Sequence, residues 1–467
     1  MLFCPPFSSK DDCIVPFTPL SLPFYSSFTP IVMQNTPLDY QIVTETIESM
    51  RLGDFSGATI RDIASLAGTL EKKTGQPFIH LEMGVPGLKP SQIGMDAEKK
   101  ALDEGCAAIY PPNAGIAPLK NAASRFIKAF IGVDLKPEGC IATVGSMQGT
   151  FAVFTTLHLA MPERDTILFI HPGFPVQTDQ CKVIGLKPIG LDIHDYRGPK
   201  LIEKLDEMLS QGNIAGIVYS NPNNPTWVCF TEEELKGIGE LATKHDVIVL
   251  EDLAYFAMDF RRDLSHPFEA PYQATVARYT DNYVMTISAS KAFSYAGQRI
   301  GVCCISDGLY HRKYQALQDL MGVAEFGRFL DARVIYTLSS GCCHSVQYGM
   351  AAMMDAACDG RFDFVNQVKE YGRRAAFLKK VLLSNGFYLV YDNDMGEPLA
   401  DGFYFTVQYP GMTDLQLTRE LMYYGIAVYP LDTMGSHEQG VRVCTSFFKP
   451  EQEPLFAERI EAFRANH

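Results

Sequence analysis

The stretch Thr286–Gly301, TISASKAFSYAGQRIG, places Ser288, Lys291 and Arg299 in one short span between two apolar runs, Tyr283-Val284-Met285 and Ile300-Gly301-Val302. A lysine emerging from the end of a buried strand is desolvated. Desolvation disfavours its ammonium form and leaves an amine that condenses with carbonyls. Eight residues on, Arg299 offers a planar fork of donors to a phosphate, and Ser288 adds a hydroxyl. A reactive lysine beside a phosphate clamp points to pyridoxal phosphate. Ser-x-Ser-Lys alone marks little, because lysines near serines are common on protein surfaces, so the weight falls on the rest of the chain.

Upstream, a series of apolar, β-branched runs each end in polar or aromatic residues. Val247-Ile248-Val249-Leu250 ends in Glu251-Asp252-Leu253-Ala254-Tyr255, and Ile214–Tyr219 delivers Ser220-Asn221-Pro222-Asn223-Asn224-Pro225-Thr226. Thr166–Ile170 ends in His171-Pro172-Gly173-Phe174-Pro175, and Ile141–Gly149 reads as a strand turning through glycine into a helix that continues to Ala160. A carboxylate at the end of a buried strand is costly unless a cation meets it, and a pyridinium nitrogen is such a cation. A helix start at Ser146 and Met147 favours an anion, and an aromatic such as Phe174 can stack on a flat pyridine ring. Apolar runs alternating with helical segments predict an α/β fold, a mainly parallel sheet sandwiched by helices. Ligands on such sheets gather past the carboxyl ends of strands, and Phe174, Asn224, Asp252 and Lys291 all fall there.

Taken in order over about residues 55–460, these motifs resemble the fold-type I pyridoxal-phosphate enzymes, specifically the class I/II aminotransferase family. Asp252 lies 28 residues after Asn224 and 39 before Lys291, in the family's order. The resemblance implies that Lys291 carries the cofactor as a Schiff base, that Asp252 holds its ring nitrogen protonated, and that Tyr255 and Asn224 hydrogen-bond its phenolate oxygen. Lys291, Asp252 and Tyr255 are the implied catalytic residues. Phe174 stacks on the ring, while Ser146, Met147, Ser288 and Arg299 hold the phosphate. Gly84, in Gly84-Val85-Pro86, lets the backbone approach the substrate carboxylate, which Arg442, on the apolar run Val441–Cys444, clamps with help from Asn224. Tyr110, opening Tyr-Pro-Pro-Asn-Ala-Gly, crosses a homodimer interface to the neighbouring site's phosphate.

Bland readings stand beside these roles: Gly84 as a plain turn, Tyr110 as a loop anchor, Phe174 as a core phenylalanine, Arg442 as a surface arginine on an edge strand. The chain also departs from the family. Trp227, the only tryptophan, stands where Asn-Pro-Thr-Gly has its glycine; an indole there changes the loop conformation or fills a nearby pocket.

The implied activity is transfer of an amino group from an L-amino acid to a 2-oxo acid. The same cofactor site serves carbon–sulfur lyases, racemases and decarboxylases, so these stay as alternatives. A regulator with an aminotransferase-like domain needs a basic DNA-binding region ahead of it, and about 50 non-basic residues leave no room for one. No second arginine is assignable to a dicarboxylate's distal group, which favours neutral or aromatic substrates. The resemblance implies a large cofactor-binding domain over residues 86–330. It also implies a smaller α+β domain assembled from 35–85 and from a linking helix and C-terminal lobe over 331–467.

At 467 residues, 47% hydrophobic and 20% charged, the chain can bury two sizeable cores. A net charge of -14 and a pI near 5.2 argue against a nucleic-acid partner, which needs a basic face. No run of about 20 apolar residues predicts a membrane span. The twelve cysteines include no CxxC pair and read as reduced, buried thiols of a cytoplasmic protein. His171 and His194 have no partners at metal spacing, so no metal is expected. Residues 1–34, rich in Pro, Phe and Ser, read as a disordered or non-native extension and not as a targeting signal.

Overall fold

The computed structural model describes residues 36–467, so the extension expected over 1–34 lies outside the described residues. The strands are β1 (Ile79–His80), β2 (Cys140–Thr143), β3 (Thr166–His171), β4 (Lys187–Asp192), β5 (Ile214–Ser220), β6 (Ile248–Leu253), β7 (Tyr283–Ser288) and β8 (Gly301–Ile305), then β9 (Tyr388–Leu389), β10 (Tyr404–Gln408), β11 (Ile426–Ala427), β12 (Tyr429–Pro430) and β13 (Val441–Cys444). Seven of them form one sheet in the order β2-β8-β7-β6-β5-β3-β4, and only β8 runs against the others.

The sheet is covered on both faces because its central strands are apolar at successive positions, and successive side chains point to opposite faces. Ile217 and Tyr219 of β5, Val249 of β6 and Met285 of β7 join one core; Val218, Leu250 and Val284 join the other. Burying a side chain of this kind contributes roughly 1.5–3 kcal/mol, so register is strongly held: a slip by one residue would swap the two sets. The register brings Ser220 beside Asp252 and Asp252 beside Thr286, which aligns three strand ends along one line. β4 carries no apolar run that would announce it. Its sequence, KPIGLD, is half-exposed at the sheet margin, where proline is tolerated because one side of the strand lacks a partner.

The N-terminal segment forms helices Tyr40–Ser49 and Ile60–Thr74. The second starts on a Thr59–Asp62 capping box and stops at Gly75 in the left-handed conformation. This segment meets the far end of the chain: Leu38 N donates to Tyr423 O at 3.2 Å, and β1 pairs in parallel with β11. After β8 the chain forms, among others, two long helices, His344–Cys358 and Phe364–Ser384, separated where Gly360 takes φ 69°. Beyond them an antiparallel sheet runs β12-β13-β10-β9. Arg442 sits on β13, an inner strand of that sheet, and is 1% exposed, which removes the edge-strand reading. Among the described residues no helix is long and apolar enough to cross a membrane. The ten described cysteines are free thiols, and eight of them are buried.

Candidate active site

One cavity of about 210 Å³ lies past the carboxyl ends of β3, β5, β6 and β7. Of the residues singled out from the sequence, Gly84, Ser146, Met147, Phe174, Asn224, Asp252, Tyr255, Ser288, Lys291, Arg299 and Arg442 all line it. Tyr110 does not; it stands at the surface, 89% exposed.

Lys291 lies in the four-residue helix Ala289–Ala292 that leaves β7, with Ser288 as its N-cap. Its Nζ donates to the carbonyl of Gly84 and sits 5.5 Å from the centre of the Phe403 ring. Desolvation pushes its pKa down to about 8, and the positive charges of Arg442 and Arg299 act in the same direction. An amine with that pKa is neutral in a usable fraction near neutral pH.

Asp252, 8% exposed, is held by three neutral donors: Gln177 Nε2 at 2.9 Å, Thr286 Oγ1 at 3.0 Å and the Ala254 amide at 3.1 Å. Burial raises its pKa above the ordinary carboxylate range, and these hydrogen bonds oppose that shift without cancelling it. Among the described residues it has no cation within ion-pair distance. A buried carboxylate so arranged suits a cationic ring nitrogen.

Opposite it, the guanidinium of Arg442 donates Nη1 to Asn224 Oδ1 at 3.2 Å and Nη2 to the Glu82 carbonyl at 2.5 Å, while Nε has no partner. Its carbon lies 4.6 Å from the centre of the Tyr404 ring. No carboxylate neutralises it among the described residues, so it suits an anionic substrate group. The hydroxyls of Tyr255 and Tyr404 are hydrogen-bonded at 3.0 Å. Gly84 is required here because a Cβ would lie 1.9 Å from the Tyr404 hydroxyl oxygen.

At the other end, the helix Gly145–Ala160 points its N-terminus at the cavity, and Ser146 Oγ is buried without a partner. The Arg299 guanidinium stands against that N-terminus. A Cβ on Gly145, whose φ is 64°, would lie 2.6 Å from Arg299 Nη2. A guanidinium facing the positive end of a helix is unfavourable unless an anion lies between them. Ser288 adds a buried hydroxyl and Phe174 a half-buried ring.

Three contributors carry no signal in the sequence. Gln177 follows Phe174 by three residues, on the first turn of the helix Pro175–Ile184, and only the fold turns its amide to Asp252. Thr286 reaches Asp252 through strand register. Tyr404 belongs to a run recognisable as a strand, with nothing to mark which face it presents. Trp227 fills internal space: its indole is fully buried, and its backbone lies in the left-handed region at φ 66°.

A family model described as Aminotransferase class I and II matches residues 77–460. Among curated proteins, the chain is 28% identical over 247 residues to an aspartate aminotransferase of Pyrococcus horikoshii, an alignment covering 52% of this chain. The chain spans 58% of that relative's length. It is 26% identical over 369 residues to a probable N-acetyl-LL-diaminopimelate aminotransferase of Bacillus subtilis, covering 78% of this chain and 84% of that protein. Among solved structures, an alanine aminotransferase from Pyrococcus furiosus superposes with a TM-score of 0.71 at 20% identity, covering 87% of this chain and 97% of that one. A double mutant of Thermus thermophilus aspartate aminotransferase gives 0.68 at 20% identity, covering 88% and 97%. At that identity the superpositions speak for the fold.

Proposed function

This chain belongs to the class I and II aminotransferase family, whose members use pyridoxal phosphate, and from that premise we propose that it is an aminotransferase moving the amino group of an L-amino acid to a 2-oxo acid. One observation carries the reading. A single cavity presents a desolvated lysine, a buried carboxylate without a cation, and two arginines without a carboxylate. Each is a poor arrangement alone, and one molecule bearing a carbonyl, a basic ring nitrogen and a phosphate, together with an amino acid's carboxylate, answers all of them. When bound, the coenzyme supplies an aldehyde for the lysine amine and a ring that withdraws electrons from the bonds at the substrate's Cα.

The roles follow from position. Arg299, Ser146, Ser288 and the Met147 end of the helix hold the phosphate, and Phe174 covers a ring face. Asp252 keeps the ring nitrogen protonated, while Tyr255 and Asn224 bond its phenolic oxygen. Arg442 and Gly84 fix the substrate's carboxylate, so that its Cα faces Lys291, whose Nζ moves the proton from that carbon. Substrates with neutral or aromatic side chains fit the lining, because Lys291, Arg299 and Arg442 are the only cations that line the cavity among the described residues. The reading includes a large domain over 86–330, a smaller one from 35–85 and 331–467, a homodimer in which Tyr110 reaches the neighbouring phosphate, and a cytoplasmic setting consistent with free thiols.

The test is reconstitution with pyridoxal phosphate and a screen of amino donors against 2-oxoglutarate and pyruvate. Lys291→Ala should lose both the covalent coenzyme absorption and turnover. A variant transaminating at the wild-type rate, or release of ammonia or sulfide in place of transfer, overturns the assignment.

A further inference from the structure

Trp227 is the residue that sets this site apart, and its surroundings say what it does. The indole is 0% exposed and lies edge-on to two tyrosines, with ring centroids 5.4 Å from Tyr255 and 6.1 Å from Tyr404, each at 68°. Its Nε1 has no hydrogen-bond partner, so the ring is held there by shape and not by its one polar atom. A second position makes room for it. A Cβ on Gly402 would lie 2.0 Å from indole Cε2 and Nε1, so the indole occupies the space a side chain at 402 would need. The backbone of 227 keeps the left-handed φ of 66° that glycine adopts freely, held by Trp227 N donating to Asn223 O at 2.9 Å. The chain thus has bulk at 227 and none at 402, and the two are sterically complementary.

The two tyrosines touched by the indole are those nearest the chemistry. Tyr255 and Tyr404 share a hydrogen bond of 3.0 Å, and the Tyr404 ring carries the Arg442 guanidinium on its face at 4.6 Å. Building on the functional reading above, we propose that Trp227 is a positioning residue, a wedge that fixes the Tyr255–Tyr404 pair and through it both the hydrogen bond to the coenzyme's phenolic oxygen and the grip of Arg442 on the substrate carboxylate. Removing the indole leaves both phenol rings beside a void, free to pivot. Tyr255 here donates its one proton to Tyr404. With coenzyme bound, Tyr404 becomes the donor of that pair and frees the Tyr255 proton for the coenzyme's oxygen, whose anionic form it stabilises, so a loosened Tyr255 lets the coenzyme keep its proton to higher pH.

The experiment compares loaded wild type, Trp227→Gly, Trp227→Phe, Tyr255→Phe and the Trp227→Gly/Tyr255→Phe double variant. It follows the pH midpoint of the bound coenzyme's visible absorption and the KM for the amino donor. Trp227→Gly should raise the midpoint by about one pH unit, a tenfold change in proton affinity, and raise KM about tenfold. Trp227→Phe, which keeps an aromatic wedge, should recover most of both. In the double variant the midpoint should move little beyond that of Tyr255→Phe, since both changes act through one hydrogen bond. As the chain's only tryptophan, Trp227 should also lose emission when the wild-type protein takes up coenzyme.

A Trp227→Gly enzyme with wild-type midpoint and KM overturns the wedge, whatever happens to its stability. Should that variant not fold, Trp227→Leu replaces it. A raised midpoint in Trp227→Leu supports the proposal, and wild-type values in both Trp227→Leu and Trp227→Phe overturn it. A wild-type protein that forms no coenzyme absorption on Lys291 overturns the functional reading first, and the wedge with it.

Discussion

Asp252 is the side chain whose discomfort is most informative. It is buried, accepts only neutral donors, and has its pKa raised by that burial. An acid whose folded pKa lies above its unfolded one is a net cost to stability at pH values above the folded pKa, because the ionised form is worse solvated inside than in the open chain. On the proposed reading, the apoprotein carries a penalty that the coenzyme's cationic ring removes. Asp252→Asn should raise the melting temperature of the apoprotein at pH 8 and shrink the gain in melting temperature on adding pyridoxal phosphate. It should also lower kcat by about 10²–10³-fold, the usual effect of deleting one electrostatic stabiliser of a reacting centre. Thermal unfolding with and without coenzyme, alongside steady-state kinetics, checks all three, and an Asn variant with lower apoprotein stability contradicts the account.

The strand β6 carries two acids in succession that face opposite sides of the sheet. Asp252 turns to the cavity. Glu251, 0% exposed, turns away from it and accepts from Thr275 Oγ1 at 2.6 Å, from the Tyr219 hydroxyl at 3.0 Å and from the Val276 amide at 3.4 Å. Burial, only partly opposed by these bonds, pushes its pKa up to about 7 from 4.5. The sign follows directly. Between pH 4.5 and 7 the folded state holds a proton that the unfolded chain has released, so stability falls as pH rises through that window and levels off above it. Glu251→Gln should flatten that slope and stabilise the protein at pH 8 by at most about 3 kcal/mol, with little change at pH 4.5. Denaturant melts at the two pH values decide it, and an equal shift at both would show that packing and not charge is involved.

Tyr110 is proposed to act beyond one copy of the chain. It is 89% exposed, as are neighbouring Ile109 by 64% and Tyr336 by 58%. The segment following Tyr110 is fastened to the 331–341 region by Asn113 Nδ2 donating to the Asp331 carbonyl at 3.4 Å. If Tyr110 serves the neighbouring site, two crippled chains should repair each other. Lys291→Ala and Tyr110→Ala homodimers should both be impaired, whereas the mixed dimer assembles one site with an intact lysine and an intact tyrosine. Co-expression with two affinity tags, isolation of the mixed species and assay per site should return close to half the wild-type activity. No recovery would mean that Tyr110 acts within its own chain, and a Tyr110→Ala homodimer with wild-type activity would mean that it does not act at all.

Much of this protein was legible as text. The buried strands β3, β5, β6 and β7 announce themselves because a strand covered on both faces must be apolar at successive positions, and the polar residues that end them fall where such sheets bind ligands. Lys291, Asp252 and Arg442 are recognisable for the same reason: a charge adjoining an apolar run is conspicuous. β4 was not legible, since a margin strand needs no continuous burial, and neither were Gln177, Thr286 and Tyr404, whose partners are set by register and by the direction a side chain takes. Trp227 shows the division most clearly. Its sequence position marks it as anomalous, but only the packing of Gly402, Tyr255 and Tyr404 around it decides that the indole fills buried space, because volume is shared between segments far apart in the chain and no local pattern records it.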